Sequence, residues 1–401
     1  MKILQINLVN GSKSTGRTTI ELTDYLNSNG HQAYVACSFG LGKDYEYQIG
    51  TSIGKRLHSL FSRIFGNQGY YSKFSTSKLI KYIDELKPDV VHLRNLHGNY
   101  INLNILFDYI SRKNLPTVIT LHDTWFYTGK CCFYTEANCF KWQKECGNCP
   151  QLRRDNPSWF VDKTKSNLLD KKNWLKNIPR LAVIGVSDWI TDESRKSILK
   201  SANIIYRIYN WIDLDEFQPV ESFGLRSSLG LEEQFIIIGV ASKWGERKGL
   251  SSFIELSQMI SDKMKIILIG KIEDKFTLPS NIISIPETHS KKELAQYYSL
   301  ADVFITFSKE ESFGKVTAEA LACGTPAIVY DSTANSEIVS EECGYVVDSG
   351  NIKKVVEKIK EIELRGKKVY SDNCRKFVTK NFNKEDRIKD YLEIYNKIIN
   401  Y

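Results

Sequence analysis

The sequence predicts an α/β protein made of two doubly wound domains, each a parallel sheet with helices on both faces. Three observations predict it. Short, nearly all-apolar runs such as KILQINLV, TVITL and FIIIGV alternate with stretches of ten or more residues at helical spacing. That is the pattern of strands buried on both faces and joined by crossover helices. The alternation occurs twice along the chain, which implies two sheets. Finally, 401 residues with 42 % apolar and 25 % charged side chains are enough for two cores.

In the first half the strand candidates are KILQINLV, QAYVACS, DVVHLR, TVITLHD, RLAVIGVS and IIYRIYN. STSKLIKYIDEL and NLNILFDYISRK read as helices between them. Residues 209–234 are acidic, carry one Pro and two Gly, and lose the strand period, so the first domain is expected to end at 208. The second half repeats the scheme with FIIIGVAS, KIILIG, IISIP, VFITFS, PAIVY and YVVD. Its helices include GLSSFIELSQMI, KKELAQYYSLA and KVTAEALAC. The second domain is placed at 209–382, and a terminal helix, 383–401, is expected to pack back on the first domain. In such a chain the ligand is expected in the cleft between the carboxyl ends of the strands.

No apolar run approaches the roughly 20 residues of a membrane span, and MKILQINLVNGS is not patterned as a signal peptide. A cytoplasmic location is the expectation. Net charge is +8 and unevenly spread. Residues 51–82 hold six Lys/Arg, no Asp or Glu, and interleaved Phe61, Phe65, Tyr70, Tyr71 and Phe74. This run reads either as a solvated helix face or as a patch that docks on an anionic membrane surface. Nucleic acid is not expected, because no binding motif accompanies the charge.

The segment GSKSTGRTT, 11–19, lies between a strand and a helix. Its spacing imitates the ATPase loop G-x-x-x-x-G-K-S/T, but Arg17 stands at the lysine and DVVHLR ends without a magnesium-binding aspartate. The ATPase reading is therefore set aside. Gly11 and Gly16 can still bring amides close to a phosphate at a helix N-terminus, with Arg17 assisting. The bland reading is a tight turn.

The most informative stretch is SKEESFGKVTAEALACGTPAIVY, 308–330. Glu311 precedes a turn, Gly314 permits close backbone approach, and the amides from Phe313 through Lys315 open a helix that carries Glu319. A phosphate fits such a helix start, and the two carboxylates suit hydroxyls at its two ends. Upstream, ASKWGERKG places Lys243 and Lys248 after another strand, where cations suit a diphosphate leaving group. Together these segments resemble the retaining family-4 glycosyltransferases of GT-B fold, whose E-x7-E pattern reads here as ESFGKVTAEALACGTP. Lys243 stands where that family usually has arginine, keeping the charge and losing the two-pronged geometry. VIGVSDWITDES and IYNWIDLDEF extend the resemblance along the chain, and HLRNLHGNYINLNILF and LHDTWFYTGKC are similar to a bacterial branch that builds capsule, colanic-acid-like and O-antigen polysaccharides.

The resemblance implies two Rossmann-like domains facing across a cleft and transfer of a sugar, with retention, from a nucleotide-sugar. It implies no catalytic metal. Glu319 would hold the ribose, Glu311 the donor sugar, and Lys243 and Lys248 the diphosphate. Phe313, Gly314 and Lys315 would support the donor, and Gly16 and Arg17 would face it. His122, at a strand end in LHDTW, would sit beside the transferred sugar, with Asp123 and His97 on the acceptor side. The acceptor would be a saccharide on a polyprenyl-diphosphate lipid. Rival readings are a nucleotide-sugar epimerase and a non-catalytic partner subunit.

Five of nine cysteines fall in CCFYTEANCFKWQKECGNC. Cys131, Cys139, Cys146 and Cys149 have spacing suited to a structural zinc, with Cys132 spare or exchanging roles with Cys131. Unligated thiols and an iron–sulfur cluster are the alternatives.

Overall fold

The computed structural model describes residues 1–401 apart from 275 and 289. The chain divides into two compact units. One comprises Met1–Ile208 with Ile388–Tyr401, the other Tyr209–Arg387.

The first unit is built on seven strands: β1 (Lys2–Val9), β2 (Gln32–Phe39), β3 (Glu46–Gln48), β4 (Val90–Leu93), β5 (Thr117–Leu121), β6 (Leu181–Gly185) and β7 (Ile204–Arg207). Their order is β3-β2-β1-β4-β5-β6-β7. Every pairing is parallel, with Ile3 opposite both Ala33 and Val90. Ile3, Leu4, Ile6, Val90, Val91, Val118 and Ile119 are buried, as a sheet covered on both faces requires. The short strand β3 has too few residues to show a period and escapes a sequence reading.

The basic run forms two helices, Ser52–Phe65 and Lys73–Leu86. The chain ends in the helix Lys384–Ile399, whose residues Ile388, Tyr391, Ile394, Tyr395 and Ile398 are buried at helical spacing. Tyr395 hydroxyl lies 2.7 Å from His92 Nδ1 on β4, and Tyr391 hydroxyl 3.1 Å from Thr120 Oγ1 on β5. The last helix therefore closes over the first unit's sheet.

The second unit has six parallel strands: β8 (Phe235–Trp244), β9 (Met264–Ile272), β10 (Ile282–Ile285), β11 (Val303–Thr306), β12 (Ala327–Asp331) and β13 (Gly344–Asp348). Their order is β10-β9-β8-β11-β12-β13. In each sheet the order reverses beside the first strand, at β1/β4 and at β8/β11. Loops leaving those two strand ends diverge to opposite faces and open a crevice. No helix among the described residues is long and apolar enough to cross a membrane.

Candidate functional site

At the second unit's reversal, β8 runs into a 3-10 turn, Glu246–Lys248, that ends at Gly249 with φ 75°. A Cβ on Gly249 would lie 2.3 Å from Phe307 Cβ and 2.6 Å from Phe307 O. Only glycine lets the turn press against the loop after β11. Across that contact the Lys309 amide donates to Arg247 O at 3.1 Å. The approach brings the Lys248 ammonium into an ion pair with Glu311, the two side chains being 21 % and 17 % exposed. Burial pushes the Glu311 carboxyl up, but the Lys248 charge and hydrogen bond outweigh it and hold the group below its ordinary range.

Glu311 is also fixed by its backbone. Its amide donates to Thr333 Oγ1 at 2.8 Å, and its carbonyl accepts from the Ala334 amide. Thr333 has φ 50°, a costly conformation for a β-branched residue. The neighbouring Ser308 carbonyl accepts from Ser332 Oγ and Asn335 Nδ2.

Gly314, at φ 88°, precedes the helix Lys315–Ala322, which presents its first amides beside Glu311. Asn335 Oδ1 and Thr317 Oγ1 lie within 3.7 Å of where a Gly314 Cβ would stand, and both are buried without a hydrogen-bond partner. Further along the helix, buried Glu319 accepts from Tyr298 hydroxyl at 3.3 Å. Lys248, Glu311, Gly314, half-buried Lys315 and Glu319 thus share one strand end and one helix. The side chain of Phe313 packs against Phe382 and Tyr209, leaving its backbone for a ligand. Lys243 is not in this group. It is exposed and pairs with Glu273 at 3.0 Å. A bulge between Val240 and Lys243 shifts the register there.

At the first unit's reversal, Gly11 turns the chain at φ 73° and the helix Lys13–Ser28 begins. Gly16 lies inside that helix rather than in the loop. Its Cβ would stand 3.0 Å from Val9 Cγ2, so this glycine serves close helix–strand packing, a correction to its reading as a phosphate-loop residue. Arg17 follows it on the helix, half-buried.

The sequence reading missed Arg94. It is fully buried at the end of β4 and donates to Thr18 Oγ1 at 3.1 Å. Its Nη1 lies 3.3 Å from His122 Nε2. A guanidinium only donates, so Nε2 accepts and the proton of neutral His122 sits on Nδ1. Arg94 Nε and Nη2 are buried without partners. The available signal was a cation at the carboxyl end of an otherwise apolar strand. Asp123 engages His97. Its Oδ2 lies 2.8 Å from His97 Nε2 and its Oδ1 accepts the Trp125 amide. Burial raises the Asp123 carboxyl, while His97 and that amide bring it below its usual range.

Cys131, Cys139, Cys146 and Cys149 line one cavity of about 20 Å³ together with Gly129, Lys130 and Trp142. Among the described residues, the His, Cys and carboxylate ligand atoms that all lie within 4.8 Å of one another are those of His97, Asp123 and Cys132.

Two parallel α/β sheets, each gathering charged and glycine-turn residues at its strand reversal, define a GT-B enzyme fold. The family model described as Glycosyltransferase Family 4 matches residues 15–216, and that described as Glycosyl transferases group 1 matches 224–380. The chain belongs to Glycosyltransferase Family 4. It is 26 % identical over 343 residues to an uncharacterized 41.2 kDa protein in the cps region of Klebsiella pneumoniae, covering 84 % of this chain and 86 % of that one. It is 23 % identical to the putative colanic acid biosynthesis glycosyl transferase WcaC of Escherichia coli K12, covering 67 % and 66 %. Among solved structures, sucrose-phosphate synthase from Thermosynechococcus elongatus superposes with TM-score 0.71 at 18 % identity, covering 99 % of this chain and 98 % of that one. Anabaena HepE, solved in complex with UDP and glucose, gives 0.68 at 17 %, covering 99 % and 100 %.

Proposed function

We propose that this glycosyltransferase moves a hexose-type sugar from a UDP- or GDP-sugar, with retention at the anomeric carbon, to a lipid-linked oligosaccharide in surface polysaccharide assembly. The observation that carries the proposal is the Lys248–Glu311 pair beside the glycine-opened start of the helix bearing Glu319. The ammonium and the helix amides offset the charge that the leaving diphosphate gains. Glu319 takes the ribose hydroxyls and Glu311 the donor sugar. His122, held at Nε2 by Arg94, is assigned to the sugar–acceptor side, with His97 and Asp123 near it. The HepE complexes with UDP and UDP-glucose support a nucleotide-sugar donor. The names of WcaC and of the capsular enzyme CapM of Staphylococcus aureus support a polysaccharide product. No metal is assigned to the diphosphate, since cationic side chains occupy that role.

An exposed apolar stripe supports the lipid-linked acceptor and peripheral attachment to the inner face of the membrane. Ile53, Leu57, Phe61 and Phe65 lie four residues apart on the helix Ser52–Phe65, all at least 39 % exposed. Exposed Trp159 and Phe160 extend it, since the Trp159 amide donates to Arg63 O at 2.7 Å and the Arg63 guanidinium lies over the Trp159 ring. Aromatic and basic side chains together suit an anionic headgroup layer.

Calorimetric titration with a panel of UDP-, GDP- and CMP-sugars tests the donor, and the anomeric configuration of the product tests retention. Glu319→Ala is expected to abolish donor binding while leaving the thermal transition nearly in place. Wild-type affinity in that variant would overturn the site.

A further inference from the structure

We propose that the loop after β5 is organised by one structural zinc ion bound to Cys131, Cys139, Cys146 and Cys149. Residues 128–163 contain only turns and the 3-10 segment Lys141–Gln143. A segment of this length without its own ladder of hydrogen bonds needs cross-links to hold one shape. Cys131, Cys139, Cys146 and Cys149 nevertheless all line one cavity of about 20 Å³, enough for a single water-sized particle.

The backbone around that cavity is tightly turned. Between Cys146 and Cys149 the chain passes through Gly147 at φ 134° and Asn148 at φ 45°, and both cysteines line the cavity.

Hydrogen bonds from two neighbouring lysines pin the chain around the cavity. Lys130 is buried and its Nζ donates to the carbonyls of Gln151, Leu152 and Arg154. Buried Lys171 donates to the carbonyls of Trp125 and Thr128. Each thiol gives its proton to solvent as the ion binds, and nothing is oxidised.

The other cluster needs no ion. His97 and Asp123 satisfy each other at 2.8 Å, and Cys132 Sγ accepts Asn156 Nδ2 at 3.4 Å.

Elemental analysis of tag-free protein, purified without added metal, is expected to find about one zinc per chain, released by an organomercurial. Cobalt exchanged into the site should show the visible bands of a tetrahedral tetrathiolate. Cys146→Ser and Cys149→Ser should lose the metal, whereas Cys132→Ser should keep it. A folded, metal-free wild type would overturn the proposal, as would metal lost from Cys132→Ser. So would an intact mass lowered by disulfide formation, or iron in place of zinc. Stoichiometry and the cobalt spectrum are read on the wild type, so they stand even if a serine variant fails to fold.

Discussion

Glu311 shows how one contact decides the behaviour of a group that its motif only announces. Its partner Lys248 lies 63 residues away in sequence, and the E-x7-E spacing says nothing of it. With the pair intact, Glu311 titrates below its ordinary 4.5, so its stabilising contribution is complete above that pH and is lost as pH falls through the lower folded value. In Lys248→Ala the largest influences that hold the carboxyl down are gone, and burial is left opposed by a hydrogen bond from Ser308 and the Arg247 charge, so this stabilising contribution shrinks. The variant is expected to lose roughly 1–3 kcal/mol, between the values for exposed and buried pairs, and to be penalised more at pH 7 than at pH 4. Urea unfolding at the two pH values checks this. Equal penalties would mean that the pair does not control Glu311.

His58 makes a second test. Burial pushes its pKa down from 6.5 to about 4. The unfolded chain therefore takes up a proton between those values that the folded chain refuses, and stability falls as pH drops. At about 1.4 kcal/mol per unit, the loss between pH 7.5 and 5 is roughly 2 kcal/mol. His58→Gln should lose less over the same interval, as read from urea midpoints.

Among the elements, the twelve longer strands were legible because an apolar run between turn signals is a local property. Helix starts were less so. GSKSTGRTT becomes helical at Lys13, because packing of Gly16 on Val9 draws the helix close to the strand end. Lys243 and Lys248 look alike in sequence, yet a bulge sends one to Glu273 and a glycine turn sends the other to Glu311. That turn can be tested directly. Gly249→Ala combines a left-handed φ with a clash on Phe307, which costs about 2–4 kcal/mol. It should also move Lys248 off Glu311. Weaker donor binding at unchanged ionic strength, alongside a lowered Tm, is the expected outcome. A stable variant with normal affinity would remove the turn from the site.

For the whole molecule, the last helix is the decisive connection. Removing Ile388–Tyr401 takes Ile388, Tyr391, Ile394, Tyr395 and Ile398 out of the first unit and strands His92 Nδ1. At roughly 1.5–3 kcal/mol for each large side chain, the loss of about 7–15 kcal/mol rivals the whole stability of a domain. Amides of β1, β4 and β5 are expected to lose protection from hydrogen exchange in the truncated chain while the second unit's sheet keeps it. Unchanged protection in β4 would show that the helix is dispensable.

The sequence by itself determined the two parallel sheets, because apolar strand runs alternating with helical spacing are a short-range property. Only the tertiary structure decided which charge meets which: Lys248 with Glu311, Lys243 with Glu273, Arg94 with His122, and Asp123 with His97. Strand order sets those pairings, because a doubly wound sheet places distant chain segments at adjacent strand ends, and no local spacing records which segments those are.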